Sequence, residues 1–162
     1  MQSLVVLVDI QNIYYTTRQA FNCNFDYNAF WREVTGNRNV VKAIAYGIDR
    51  GDEKQRQFQN ILRAIGFEVK LKPFIQRADG SAKGDWDVGI TLDAIEYGKD
   101  VDVVALASGD GDFDLLVERL RKKFNVTVEV YGVERLTALS LISAASTFIP
   151  IEGSLLLKSP HA

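Results

Sequence analysis

The run LVVLV at residues 4–8 constrains the fold of this chain more than any other feature of its sequence. Every position in the run is aliphatic, so both faces of the strand that it forms must be covered by other parts of the protein. Strands of this kind are typical of parallel sheets with helices on both sides. The run therefore predicts a first strand that is buried within an α/β fold.

Helical and extended patterns alternate along the rest of the chain. The helix at 52–65 is the clearest, because its apolar residues from Phe58 to Ile65 recur at helical spacing. The alternation predicts an α/β fold with a mostly parallel central sheet. Further strands are predicted at residues 39–47, 67–74, 101–107, 126–132 and 146–153. Further helices are predicted at residues 11–21, 28–35, 85–98, 112–123 and 135–146, with a polar loop at 75–84.

The length and composition are typical of one globular domain. The chain has 162 residues, of which 47% are hydrophobic and 25% charged. We expect one domain over residues 1–152, followed by a C-terminal tail at 153–162. No apolar run reaches the roughly 20 residues that span a bilayer, so no membrane partner is expected. The first residues, MQSLVVLVDIQN, lack a basic segment and are interpreted as a strand rather than a signal peptide.

Cysteine and histidine are nearly absent, which excludes several classes of site. The single Cys23 allows no internal disulfide and no cysteine-based zinc site, and it favours a cytoplasmic location. The single His161 lies next to the end of the sequence, which excludes a histidine general base, a Ser-His-Asp triad and a histidine-ligated metal. The net charge of −2 argues against a protein that coats DNA without specificity.

Acidic residues follow two of the predicted strands. Asp9 ends the first strand, with Asn12 three residues later, and a later strand leads into SGDGDFD, which contains Ser108, Asp110 and Asp112. In parallel sheets, ligands bind outside the carboxyl ends of the strands, where the strand order reverses. If the two strands are neighbours, their carboxylates converge, and they repel one another unless a hard cation such as Mg²⁺ or Mn²⁺ is bound.

Each of these aspartates also has a purely structural interpretation. A single aspartate after a strand is more often a turn or a helix cap than a ligand, and Asp110 or Asp112 could cap the helix at 112–123. Asp114 suits the first turn of that helix, where negative charge is favourable, and is interpreted as structural. Only the combination of Asp9 with the Asp-Gly-Asp run favours a metal site.

A third acidic segment, KGDWDVGITLDAIEYG at 83–98, is predicted to form a helix. Asp85 suits the cap of this helix and Asp87 its first turn. Trp86 is interpreted as a packing residue rather than a platform for base stacking. The apolar face of the helix is expected to comprise Val88, Leu92 and Ile95.

Basic residues are concentrated just before this helix. Within residues 70–83, Asp79 is the only acidic residue, so this basic segment is a candidate for an RNA-facing rim. A second basic cluster at 119–123 lies at a helix end, where cations are favoured, and is interpreted as structural. Three arginines that follow the first two strands are further candidates to face the site: Arg18, Arg50 and Arg56. The residues of the candidate rim are Lys70, Lys72, Arg77 and Lys83.

Three motifs of this chain, VDIQN, KGDWDVGITLDA and ASGDGDFDLLVERL, resemble in their order the NYN domain family in its LabA-like branch. This branch is part of the PIN-like nucleases, and the resemblance covers about residues 3–150. It implies a PIN-like, Rossmann-like α/β fold, a three-layer α/β/α sandwich with a mostly parallel central sheet. It also implies an acidic pocket for Mg²⁺ or Mn²⁺, ribonuclease activity or RNA processing, and RNA as the partner. PIN-like domains often dimerise, so the resemblance also allows a homodimer.

The resemblance assigns roles to individual positions. The catalytic and metal-binding residues that it implies are Asp9, Asp87, Asp110 and Asp112. The orienting or substrate-binding residues that it implies are Asn12, Lys83 and Ser108. The spacing after the Lys-Gly pair leaves Asp85 as a rival to Asp87. Gly111 stands where the family commonly has serine, which removes a hydroxyl and is expected to leave the loop more flexible.

These residues favour metal-dependent hydrolysis of RNA phosphodiester bonds, in which a carboxylate or the metal itself must accept the proton. The alternative is an RNA- or protein-binding regulatory domain with little or no catalysis, which Gly111 and the net negative charge keep open. Other phosphotransfer folds fit less well. A Toprim-type site expects glutamate where this chain has Asp9, and a haloacid-dehalogenase-type site expects aspartate where it has Gln11.

Overall fold

Strands and helices alternate along the chain, as the sequence predicts. The computed structural model describes residues 1–76, 82–83 and 85–158. For residues 75, 76, 82 and 83 it describes the backbone but not the side chain. The strands are β1 (Ser3–Asp9), β2 (Asn39–Asp49), β3 (Glu68–Pro73), β4 (Ile75–Gln76), β5 (Ala82–Lys83), β6 (Val103–Ala107), β7 (Thr127–Gly132) and β8 (Thr147–Pro150). The α-helices are α1 (Ile10–Phe21), α2 (Tyr27–Thr35), α3 (Glu53–Ile65), α4 (Asp87–Gly98), α5 (Asp114–Lys122) and α6 (Leu139–Ala144). Short 3₁₀ turns lie at Gly111–Phe113, Glu134–Leu136 and Gly153–Leu155.

Six of the strands form one sheet in the order β3-β2-β1-β6-β7-β8, and every neighbouring pair is parallel. Successive residues of β1 face opposite sides of this sheet. Val6 packs in the core with residues of α1, α2 and α3, whereas Val5 packs in the core with residues of α4, α5 and α6. The strand order reverses between β1 and β6. The α/β/α architecture with a parallel sheet is thereby confirmed.

The apolar face predicted for α4 is wrong at Val88 and Leu92, whereas Ile95 packs against the core as predicted. Val88 and Leu92 are 71% and 65% exposed, whereas Ile90, Ala94 and Gly98 are buried against the sheet. A helix with aliphatic residues on most of its sides offers the sheet several faces of similar hydrophobicity. Close approach decides between them, because a Cβ atom at Gly98 would lie 2.7 Å from Val104 Cγ2.

The last predicted helix is shorter than expected. The segment predicted as a helix at 135–146 contains only the end of a 3₁₀ turn and α6. Between these two parts, Thr137 has an extended backbone, and its Oγ1 donates a hydrogen bond to the Val133 carbonyl at 2.8 Å. A threonine side chain that bonds to the backbone in this way competes with regular helical hydrogen bonding.

The predicted loop at 75–84 contains two short strands. Ile75 pairs with Lys83 and Gln76 with Ala82, in an antiparallel arrangement separate from the main sheet. Arg77 and Asp79 lie outside the described residues. In the described part of the chain, no helix combines the length and the hydrophobicity that a membrane span requires.

The segment after β8 packs against the start of α2. Leu155 is buried, and its carbonyl accepts a hydrogen bond from the Asp26 N–H at 2.8 Å. Leu156 forms an antiparallel bridge with Phe25. The segment therefore contributes to the same face of the domain as α1 and α2.

Candidate active site

A buried serine links the carboxylate of Asp9 to the backbone of Asp110 across the centre of the sheet. Ser108 follows β6 and is fully buried, and its Oγ donates a hydrogen bond to Asp9 Oδ2 at 3.1 Å. The same Oγ accepts a hydrogen bond from the Asp110 N–H at 3.2 Å. Because β1 and β6 are parallel neighbours, the residues that follow them meet at one edge of the sheet.

Asp9 and Asn12 both hold the backbone of this edge in place. Asp9 is the N-cap of α1, since the Asn12 N–H donates to Asp9 Oδ1 at 3.3 Å. Asn12 Oδ1 accepts a hydrogen bond from the Gly109 N–H at 2.8 Å. The start of α1 is therefore tied to the loop that follows β6.

The amino end of α4 brings Asp87 to the same edge. Asp87 is the first residue of α4, and its N–H donates to Asp85 Oδ1 at 3.3 Å. Asp85 therefore accepts a hydrogen bond at the helix start, close to the cap position predicted for it, and its side chain is exposed. Of these two rivals, only Asp87 joins the acidic cluster described next.

Three of the four predicted carboxylates converge. Oxygen atoms of Asp87, Asp110 and Asp112 all lie within 4.8 Å of one another. The Asp112 N–H also donates to Asp110 Oδ1 at 2.9 Å, which fixes the turn that carries both residues. Asp9 is not a member of this close group, and its link to Asp110 runs through Ser108.

Burial, together with neighbouring negative charges, raises the pKa values of Asp87 and Asp9. Burial, followed by the negative charges of Asp110 and Asp85 and a hydrogen bond with Asp110, raises the pKa of Asp87 from 3.8 to about 7. Burial also raises the pKa of Asp9, although the hydrogen bonds that this carboxylate accepts act in the opposite direction. In the absence of a cation, the cluster therefore retains a proton near neutral pH.

A hard divalent cation fits this set of donors. The converging atoms are all carboxylate oxygens, the ligands that Mg²⁺ and Mn²⁺ prefer. Among the residues whose side chains the structure describes, none forms an ion pair with Asp87, Asp110 or Asp112. A bound cation would offset the burial and the repulsion between carboxylates that raise the pKa of Asp87. The residues present therefore match the cation that the sequence predicts.

Two lysines of the predicted RNA-facing rim interact with α4 and the residues just before it. Lys70 Nζ lies 2.8 Å from Asp93 Oδ2, and the same carboxylate oxygen accepts a hydrogen bond from Tyr46. Lys72 Nζ donates to the Asp85 carbonyl at 3.1 Å and lies 4.4 Å from the centre of the Trp86 ring. Both lysines therefore stabilise the packing of this segment.

The remaining basic candidates differ in position. The backbone of Lys83 belongs to β5, but its side chain lies outside the described part of the structure, as does the whole of Arg77. Arg56 lies 3.7 Å from Glu53 in an exposed ion pair on α3. Arg18 and Arg50 lie along a cleft between α1 and α3.

Trp86 fixes the start of α4, a role that the sequence analysis did not identify. Its Nε1 donates to the Gly47 carbonyl at 2.8 Å, and its ring lies 5.3 Å from the Tyr46 ring. Gly89 makes room for it, because a Cβ atom at that position would lie 2.5 Å from the indole. The interpretation as a packing residue is confirmed, and this packing fixes the residue next to Asp87. The signal for this packing in the sequence was Gly89, a glycine three residues after Trp86 near the start of the predicted helix.

Close packing explains the glycine between the two aspartates. A Cβ atom at Gly111 would lie 2.8 Å from the Cβ of Ala138, and one at Gly109 would lie 2.9 Å from Thr137 Oγ1. The segment before α6 therefore restricts the size of the residues in the acidic turn. A glycine at this position predicts a more flexible loop, whereas Gly111 lies in a 3₁₀ turn packed against Ala138.

Comparisons with known proteins agree with this fold. The NYN domain matches residues 3–152. The chain is 26% identical over 156 residues to the low amplitude and bright protein LabA of Synechococcus elongatus, with 91% of this chain and 83% of LabA covered. It also resembles the crystal structure of a protein of unknown function from Vibrio parahaemolyticus, with a TM-score of 0.92, 60% identity and 96% of each chain covered. On the match over nearly its whole length, the chain belongs to the NYN domain family.

Proposed function

We propose that this protein is a metal-dependent ribonuclease that hydrolyses RNA phosphodiester bonds at the acidic cluster. The observation that carries the proposal is the convergence of Asp87, Asp110 and Asp112 within 4.8 Å at the carboxyl edge of the sheet. Membership of the NYN domain family supports RNA as the substrate. The position of the cluster, beside the reversal of strand order between β1 and β6, is where ligands bind in parallel sheets.

In this proposal, the carboxylates of Asp87, Asp110 and Asp112 hold Mg²⁺ or Mn²⁺, with Asp9 as a fourth acidic residue. When bound, such a cation polarises the phosphate and lowers the pKa of an attacking water. Ser108 keeps Asp9 and the backbone of Asp110 in a fixed relation, through the two hydrogen bonds of its Oγ.

Two further residues complete the proposed site. Asn12 holds the loop after β6 through the Gly109 N–H. Lys83 is proposed to neutralise charge on the substrate phosphate, on the strength of its position in the family motif.

The test compares two aspartates of the same acidic run. Asp110→Asn keeps an oxygen that can accept the hydrogen bond from the Asp112 N–H, so folding should be retained. Asp114→Asn is the matched control, because Asp114 lies in the first turn of α5 and outside the converging group. We expect Asp110→Asn to abolish Mn²⁺-dependent cleavage of a labelled RNA and Asp114→Asn to leave it close to the wild-type rate.

Cleavage by Asp110→Asn at the wild-type rate would contradict the proposal. Binding of RNA by the wild-type protein without any metal-dependent turnover would instead favour a regulatory RNA-binding domain. Calorimetric titration with Mn²⁺ distinguishes a missing metal site from a missing cleavage activity. A wild-type protein that binds no Mn²⁺ lacks the metal site, and one that binds Mn²⁺ without cleaving lacks the activity.

A further inference from the structure

A cleft of about 960 Å³ lies between α1 and α3. Its volume is near the upper end of the roughly 300–1,000 Å³ that is typical of ligand pockets. Its floor includes Ile10, Gly47 and Leu71, where the side chains of Ile10 and Leu71 both approach the bare backbone of Gly47. Ile10 follows the end of β1, and Gly47 lies near the end of β2, so the cleft lies at the carboxyl edge of the sheet, the edge that also carries the acidic cluster.

Aromatic and cationic side chains line the α1 side of this cleft. Tyr14 and Tyr15 are 52% and 54% exposed, and their rings meet edge to face at 5.7 Å. Arg18 lies one helical turn after Tyr14, with its guanidinium 6.0 Å from the centre of that ring. More than half of each tyrosine surface remains open to solvent, although aromatic rings are usually buried.

A second arginine lies on the opposite side of the cleft. The Arg50 guanidinium lies 4.6 Å from the centre of the Phe74 ring, and its side chain is exposed. Among the residues whose side chains the structure describes, neither Arg18 nor Arg50 forms an ion pair. Both guanidinium groups are therefore free to meet an anion, and each is held beside a ring.

The two carboxylates along the cleft are already engaged. Asp52 caps α3 by accepting a hydrogen bond from the Gln55 N–H at 2.8 Å. Glu53 lies 3.7 Å from Arg56 on the same helix. Lys54 adds a third exposed cation. The uncompensated charge along the cleft is therefore positive, in contrast to that of the acidic cluster.

We infer that this cleft binds unpaired nucleotides of a single-stranded RNA, at the same edge of the sheet as the acidic cluster that would cleave the strand. Exposed aromatic rings stack with bases, and arginine side chains contact phosphates and stack as well, which is the chemistry of single-strand recognition. The inference rests on the proposed ribonuclease function for the identity of the ligand. A folded protein partner is less favoured, because the cleft is concave and its cations lie on opposite walls.

The experiment measures binding and cleavage separately. A fluorescein-labelled single-stranded RNA of about ten nucleotides, enough to span several stacked bases, is titrated with the full-length protein in EDTA. Fluorescence anisotropy then reports affinity without turnover. The variants of the cleft are Tyr14→Ala, Arg18→Gln and Arg50→Gln. The matched controls are Tyr14→Phe, which keeps the ring, and Arg119→Gln, which removes an exposed arginine near the end of α5, at the opposite edge of the sheet.

We expect Tyr14→Ala to weaken binding about tenfold, which corresponds to the loss of one stacked base. The double variant Arg18→Gln/Arg50→Gln should reduce the slope of log affinity against log salt by about 1.4, since each phosphate contact contributes about 0.7 for single strands. Tyr14→Phe and Arg119→Gln should bind like the wild-type protein. All of these residues are exposed, so thermal unfolding should change little.

Three outcomes would overturn the inference: wild-type affinity in all cleft variants, no binding of single-stranded RNA by the wild-type protein, or equal affinity for a duplex of the same length. Paired bases cannot stack on side chains, which is why the duplex is informative. Cleavage in Mn²⁺ is scored in parallel. Loss of binding in the cleft variants of a protein that never cleaves would support the cleft and contradict only the ribonuclease proposal.

Discussion

Ser108 Oγ donates a buried hydrogen bond to Asp9 Oδ2 at 3.1 Å, between residues that are 99 positions apart in the sequence. Only 8% of Asp9 is exposed, so its carboxylate depends on protein donors in place of water. The same hydroxyl accepts the Asp110 N–H. One serine therefore stabilises the negative charge at the end of β1 and the turn that begins the acidic run after β6.

Replacing Ser108 with alanine should destabilise the metal-free protein at neutral pH. We expect Ser108→Ala to lower the free energy of unfolding by about 1–3 kcal/mol, because a buried charged acceptor loses a donor. The loss should become smaller in acid, where Asp9 is protonated. Urea unfolding followed by circular dichroism measures both effects. Ser140→Ala, at an exposed serine near the same turn, is the control, and equal midpoints for the two variants would contradict the role of Ser108.

The raised pKa of Asp87 predicts a specific dependence of stability on pH. Between its ordinary value of 3.8 and about 7, the folded metal-free protein binds more protons than the unfolded chain. The contribution of this group to stability is therefore greatest below the unfolded pKa, and it is lost as the pH rises through the folded pKa. In EDTA, the protein should be more resistant to urea at about pH 5 than at about pH 7.5.

Asp87→Asn should flatten this dependence, since the substituted residue does not titrate. Addition of Mn²⁺ at the higher pH should restore stability to the wild-type protein, because a ligand that binds only the folded state stabilises it. If Asp87→Asn unfolds with the same pH dependence as the wild-type protein, the raised pKa belongs to another group.

Substitution of Gly89 by alanine should destabilise the protein, although this change usually stabilises a helix. In a helix interior, glycine to alanine typically stabilises by about 1 kcal/mol. Here the new methyl group would lie 2.5 Å from the Trp86 ring, so we expect a loss of about 1–3 kcal/mol. Because Trp86 precedes Asp87, Mn²⁺ affinity measured by calorimetry should also fall about tenfold. In a Trp86→Ala background the same substitution should become stabilising, and an unchanged sign there would refute the steric explanation.

Serine, which the family commonly has at the position of Gly111, should fit there only when the neighbouring Ala138 is replaced by glycine. Gly111→Ser should cost about 1–3 kcal/mol, because its Cβ would lie 2.8 Å from the Cβ of Ala138. The backbone of Gly111 is outside the left-handed region, so the cost is one of packing. Ala138→Gly in combination should recover most of it. Additive losses in the four-member cycle, measured by thermal unfolding, would show that the two residues do not compete for space.

The strand-end rule predicted much of the site from the sequence. The apolar runs located β1 and β6, and the pairing of these strands brings Asp9 and Ser108 into contact, as the rule implies. The assignment of Asp87 over Asp85 depended on the resemblance to a family. Hydrophobic periodicity cannot distinguish Asp85 from Asp87. Asp87 is the first residue of α4 and Asp85 lies two residues before it. The packing of Trp86 determines where the helix begins.

Other features depended on contacts that are distant in the sequence. The apolar face of α4 could not be predicted because the small residues Ala94 and Gly98, rather than Val88 and Leu92, match the surface of the sheet. Lys72 was expected at an RNA-facing rim because it lies in a basic segment. Its actual partner, the Trp86 ring, lies on a different element, and no local pattern links the two.

The order of the strands also has a consequence for biosynthesis. The hydrogen bond between Asn12 and Gly109 closes a separation of 97 residues, so the acidic site requires the two halves of the chain to have met. Such long-range contacts form late, because closing a long loop costs conformational entropy before the contact can stabilise the chain. The cleft beside α1, by contrast, is lined almost entirely by residues before position 72. On the ribosome, a growing chain would therefore contain nearly all the residues that line the cleft well before β6 emerged and brought the proposed metal-binding residues together.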